Sequence, residues 1–245
     1  MKSAQQGVGS GVAAIVRARR MNEEDGMTVL EVIIATAILS IVVAFVMTGF
    51  SSFQSAATTD DLKLQNLDEA RLLMATLTKD IRTATLLQSG TSPFTIADVT
   101  HMQFYGNLMT TSDPNQVEIY IDTTNPNTPY LVEKMTTPDP GTGGTSGFPP
   151  AYTGRGTTTT RFVGKYVVND SSNPLFTYFD SNGHQLIPPT GQTALSAAQL
   201  IKVNSIGINL SVRKSTSRAV PPTTLISSVT LPNIYYNVGP SPTPT

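Results

Sequence analysis

Three residues near the N-terminus form the chain's most specific pattern: Gly26, Thr28 and Glu31 in Gly26-Met-Thr-Val-Leu-Glu31. Gly26 has no Cβ, so another backbone can approach it closely. Glu31 is the only charge between positions 26 and 59. It precedes Val32–Phe50, 19 residues without a charge. A carboxylate at the edge of an apolar span is costly, and such groups are functional by default.

Elsewhere the chemistry-bearing residues are sparse. His101 and His184 are the only histidines, and neither belongs to a cluster with metal-ligand spacing. The absence of cysteine excludes disulfides, thiolate zinc sites and a thiol nucleophile. No Gly-x-Ser-x-Gly is present, and the glycine-rich stretch 141–147 lacks the Lys-Ser/Thr of a phosphate loop. Asp180-Ser-Asn-Gly183 resembles the opening of a calcium loop without its closing glutamate, so a hairpin turn is favoured. Tyr105, Tyr120, Tyr130, Tyr152, Tyr166 and Tyr178 could stack on bases, but scattered strand tyrosines more often pack, and few cations accompany them. Binding to DNA is therefore not expected. No catalytic residue, metal or cofactor is expected either. Asp80 and Arg82 have two open readings: a solvated helix edge with a local ion pair, or a subunit contact.

The elements that must position these residues follow from composition. Only 13% of the residues are charged, about half the usual share, and the net charge of −1 creates no field for nucleic acid or anionic membrane. The first of 17 prolines is Pro93. Ninety-two residues without proline suit a long helix. At 1.5 Å per residue, 32–50 spans roughly 28 Å, close to the hydrocarbon thickness of a bilayer. Leu67, Ala70, Met74, Leu77, Ile81 and Ala84 then recur at spacings of three and four, which predicts an amphipathic helix over 54–87. The whole helix would run for about 60 residues.

After Pro93, runs of alternating character predict strands at 101–108, 116–122, 130–135, 161–168, 175–179, 201–212 and 225–231. Only 193–200 offers a further short helix. The fold class expected is α+β: a long N-terminal helix, half membrane-spanning and half amphipathic stalk, packed on a C-terminal antiparallel sheet. Residues 138–160 are predicted to be a mobile insertion and 236–245 a disordered tail. Lys2, Arg17, Arg19 and Arg20 lie upstream of the span, which places the N-terminus inside and the residues after Phe50 outside. A secretory signal peptide would need a shorter apolar run and an Ala-x-Ala site; Thr48-Gly49-Phe50 and Ser55-Ala56-Ala57 are the nearest imitations.

Gly26-Met-Thr-Val-Leu-Glu31 followed by the apolar run resembles the class III signal of type IV pilins and pseudopilins, commonly Gly-Phe-Thr-Leu-Ile-Glu. Met27 stands where phenylalanine is commonest. The resemblance implies a leader, 1–26, removed by a prepilin peptidase that cuts between Gly26 and Met27. It also implies N-methylation of Met27, a membrane and assembly helix over 27–50, a stalk over 51–92 and a β domain over 93–235. In this family the glutamate meets the free N-terminal amine within the assembling filament, which assigns assembly and register to Glu31 with Thr28. The implied partners are the peptidase, other pilin or pseudopilin subunits, an inner-membrane assembly platform and the lipid bilayer.

Asp80-Ile-Arg82-Thr-Ala84, Leu175–Gly183 and Ser227–Asn233 are similar to segments of the minor pilin W and J-type pseudopilin group. Pro232 departs from that group, where arginine is common. Thr48 occupies the position where major pilins often carry a proline. These features point to a minor subunit, with secretion, motility, DNA uptake and attachment all open as the filament's purpose. Two alternatives remain. One is an adhesion module using 138–160; the other is a membrane-anchored exported domain with no filament.

Overall fold

A computed structural model of the chain describes residues 27–88, 91–108, 113–143, 149–214 and 220–232. The expected leader with Gly26, the centre of the 138–160 insertion and the tail 236–245 lie outside the described residues. The chain divides into two compact units, Met1–Ala56 and Ala57–Thr245.

Val29–Ile81 form one helix of 53 residues, α1. No proline interrupts it, so no amide is lost and no ring clashes with a preceding turn. It stops earlier than the 54–87 periodicity predicts. The Thr83 hydroxyl donates to the Asp80 carbonyl at 2.7 Å. The Thr85 amide donates to the Tyr105 carbonyl at 2.8 Å, and Ala84 forms a bridge with Gly106. Sheet pairing thus captures the chain before another helical turn can form.

The second unit holds the C-terminal part of α1 and two antiparallel sheets. One is a five-stranded meander of β1 (Phe94–Ala97), β2 (His101–Gly106), β3 (Asn115–Asp122), β4 (Tyr130–Thr136) and β5 (Thr158–Lys165), paired in that order. The other contains β6 (Phe176–Phe179), β7 (Gln185–Leu186), β8 (Ser205–Val212) and β9 (Thr223–Thr230), ordered β7-β6-β8-β9. A single turn of helix, α2 (Ala197–Leu200), precedes β8. The expected α+β architecture is present, with two sheets where one was expected.

Both sheets contribute to one core. Period-two positions Met102 and Phe104, Val117 and Ile119, and Ile206, Ile208 and Leu210 are all fully buried. Ala70, Leu73, Leu77 and Ile81 of α1 pack with them. The buried helix face is rotated from the expected stripe: Leu73 and Asp80 lie inside, while Leu67 and Met74 are only half-buried. Ala70, Leu77, Ile81 and Ala84 of the expected stripe are buried, so the stripe holds apart from this shift toward Leu73.

Residues 138–160 are not a structureless insertion where they are described. The buried Asp139 carboxylate accepts from the amides of Thr153, Arg155 and Gly156 at 2.8–2.9 Å, and its own amide donates to Ala151. β5 also begins within this stretch, at Thr158. The Asp180 turn is a hairpin, as expected: the Asp180 amide donates to the His184 carbonyl at 2.9 Å, and Gly183 adopts φ +79° between β6 and β7.

Candidate functional site

The N-terminal motif coincides with the start of α1. Thr28 lies just outside the helix and caps it. The Glu31 amide donates to the Thr28 carbonyl at 3.0 Å and to its hydroxyl at 3.3 Å, and the Val32 amide reaches the same carbonyl at 3.2 Å. Threonine at the cap and glutamate three residues on form the sequence pattern of a capping box. The Glu31 carboxylate stands in the first turn, at the positive end of the helix dipole. Met27 precedes the cap and is exposed. Gly26 is outside the described residues.

Beyond Glu31 the first unit is apolar and uncovered. Val32 and Phe50, the ends of the uncharged run, are both exposed, as are Ile34, Leu39, Phe45 and Phe53 between and beyond them. The hydroxyls along this stretch are satisfied by their own helix. Thr36 donates to the Val32 carbonyl at 2.9 Å, Ser40 to Thr36 at 2.7 Å, Thr48 to Ala44 at 2.9 Å and Ser52 to Thr48 at 3.0 Å. A polar group that bonds back to the preceding turn needs no water, so these residues can stand in hydrocarbon. α1 is the one described helix long and apolar enough to cross a membrane.

Asp80 and Arg82 do not form a pair. Asp80 is buried, 3% exposed, and therefore is not a solvated helix edge. Its Oδ2 lies 3.3 Å from Nη2 of Arg161, and the same nitrogen lies 2.6 Å from Oε2 of Glu133. Glu133 and Arg161 face each other across β4 and β5. Burial, then the hydrogen bond and negative charge of Glu133, push the Asp80 carboxyl up to about 7 against the pull of Arg161. Arg82 is exposed, at a shallow groove between α1 and β9. Glu133 and Arg161 were not singled out from sequence. A signal was available: Glu133 shares the parity of Leu131 in its strand, which points an acid inward.

The remaining candidates have local partners. His101 Nε2 lies 3.0 Å from Glu118 Oε1, and Lys134 reaches the other Glu118 oxygen at 3.4 Å. His184 lies 3.6 Å from Asp180. The six tyrosines are buried or half-buried. Tyr105 packs on Tyr152, Tyr120 on His101 and Tyr130 on Phe162, with centroids 5.1–5.8 Å apart. Tyr178 donates to the Asp98 carbonyl at 2.9 Å inside the core. Among the described residues no group of three or more His, Asp or Glu could hold a metal ion. No family model, no curated protein and no solved structure matches the chain.

Proposed function

We propose that the chain is a pilin-like filament subunit, of the minor pilin or pseudopilin kind, whose leader is cut after Gly26. The observation that carries this reading is the position of the motif. Thr28 caps α1, Glu31 occupies its first turn, and the apolar residues that follow are uncovered on every side. A helix that is apolar all round requires either lipid or other apolar helices. A membrane supplies the first before assembly, and a filament core supplies the second afterwards.

The mechanism follows from charge. Cutting before Met27 frees an amine two residues from the helix start, and methylation leaves that amine cationic. In a neighbouring subunit Glu31 offers the only carboxylate in the apolar half. Amine and carboxylate attract strongly where the dielectric is low, and an axial slip of one subunit would separate them. Their pairing thus sets register. Thr28 fixes where the helix begins and so where Glu31 stands. The β domain faces outward, with the N-terminus inside before assembly.

Glu31→Ala is expected to insert into the membrane normally but to be lost from sheared filaments, scored by immunoblot of membrane and filament fractions. Undiminished incorporation removes the proposed role of Glu31. Thr28→Ala is the milder companion. Loss of a cap costs about 1 kcal/mol of helix stability, so partial incorporation is expected.

A further inference from the structure

β9 ends the four-stranded sheet, and no described strand lies on its outer side. The Leu231 amide donates to the Asn204 carbonyl at 3.2 Å, which sets the phase of the β8–β9 ladder. Bonded and unbonded pairs alternate in an antiparallel ladder. Thr223, Leu225, Ser227 and Val229 therefore exchange bonds with β8. The amides and carbonyls of Thr224, Ile226, Ser228 and Thr230 point away from it. The neighbouring strand agrees: Asn209, opposite Ile226, sends its amide the other way, to the Leu175 carbonyl at 2.9 Å. None of the four outward residues makes a backbone hydrogen bond to another described residue.

Natural edges are normally blunted by charge, proline or a bulge. β9 has none of these in eight residues, and Ile226 is 82% exposed on it. Beside this edge runs a groove with a largely apolar floor. Met74, Ala75 and Thr78 of α1 face Leu225, and farther along Leu64 and Leu67 face Pro221 and Pro222. A strand added to β9 would lie about 4.8 Å outboard and set alternate side chains over that floor. Arg71, Lys79 and Arg82 line the same groove. Neither Lys79 nor Arg82 forms an ion pair with a described residue, and Arg71 reaches only the exposed Asp68, at 3.9 Å.

We propose that the groove between α1 and β9 is a β-augmentation site that accepts an extended acidic segment of a partner protein. The partner's backbone would complete the β9 ladder, its apolar residues would cover Met74 and Leu225, and its carboxylates would meet Arg71, Lys79 and Arg82. A second copy of this chain is a poorer occupant. Of the edge strands of its five-stranded sheet, β1 has only four residues to offer an eight-residue edge and β5 carries Arg161 and Lys165, and pairing β9 with β9 would bring two sets of the same cations together. The site depends on the second unit alone and not on any cut after Gly26.

The test uses the full chain in detergent micelles with a short fluorescent peptide alternating valine and glutamate. A matched peptide with lysine for glutamate serves as control. Binding of the acidic peptide should slow amide exchange at Thr224, Ile226, Ser228 and Thr230 and weaken as salt rises. The combined change Arg71→Gln, Lys79→Gln and Arg82→Gln, on the surface, should weaken it roughly tenfold or more. Ser228→Pro should weaken it too, since it removes an outward amide while the β8 ladder keeps its bonds. Equal binding of the lysine peptide, or no slowing at those amides, overturns the proposal. So does slowing at those amides without peptide that grows with protein concentration, which assigns the edge to a second copy. Binding only after deletion of 233–245 overturns it as well, by assigning the groove to the chain's own tail.

Discussion

Asp80 lies one residue before the end of α1, buried against β4 and β5. Burial, then the hydrogen bond and charge of Glu133, raise its carboxyl to about 7 from 3.8. A carboxyl whose folded value exceeds its unfolded value holds its proton more tightly when folded. Its stabilisation is complete below about 3.8 and is lost as pH rises through about 7. Urea unfolding should therefore show the protein more stable at pH 5 than at pH 8, and Asp80→Asn should flatten that slope. A slope unchanged in the variant would mean that Asp80 is ionised throughout. Arg161→Met removes the one cation touching both carboxylates. The Arg161 side chain is about half exposed, which moderates the loss, and a cost of about 2 kcal/mol is expected at pH 8. At pH 5, where Asp80 can take a proton, the cost should be smaller. Equal costs at the two values would contradict the shared role.

At the scale of elements, the join between α1 and β5 rests on a residue with no side chain. A Cβ at Gly164 would come within 2.3 Å of Leu73 Cδ2 and 2.8 Å of Glu69 Oε1. Leu73 is fully buried and cannot yield, and Glu69 accepts the Lys165 amide at 3.2 Å. Gly164→Ala should cost about 1–3 kcal/mol in urea unfolding, as overpacked cores do. Asp139→Ala should leave the sheets intact but speed exchange at the amides of Thr153, Arg155 and Gly156, which its carboxylate holds. Unchanged exchange there would mean that the loop is held by other contacts. These elements also separate what sequence patterns carry from what they do not. Alternation located β2, β3 and β8 because most of their inward residues are large and apolar, as in Ile206, Ile208 and Leu210, although Asn115 of β3 is also buried. Four-residue β1 and two-residue β7 are too short for any period to register. Asp139 carries no local signal of its role, since its donors come from residues that follow it by 14 to 17 positions. A local pair with Arg82 was one of the two readings the sequence left open for Asp80, while its partner Arg161 lies 81 positions away on β5. Charge pairing across that distance follows from packing and leaves no local trace.

At the scale of the whole molecule, residues 29–56 are an apolar helical stretch exposed on all sides, and the second unit has its own core. The second unit buries much of its apolar surface in that core, whereas residues 29–56 bury nothing within the chain. A subunit that moves from bilayer to filament would have this division, because the same apolar surface serves both environments. An anchored domain outside any filament would also span a bilayer, but it would not need a free amine at Met27 opposite Glu31. The contact between Thr28 and Glu31 is local in sequence, because the two meet in one helical turn. The edge of β9 is not, because an open edge is defined by which strands fail to pair. The most direct test of the account is mass spectrometry of the N-terminus of the protein isolated from membranes. A mature chain beginning at Met27, with a methylated amine, is the predicted result. A chain retaining residues 1–26, or beginning at any other residue, would contradict it.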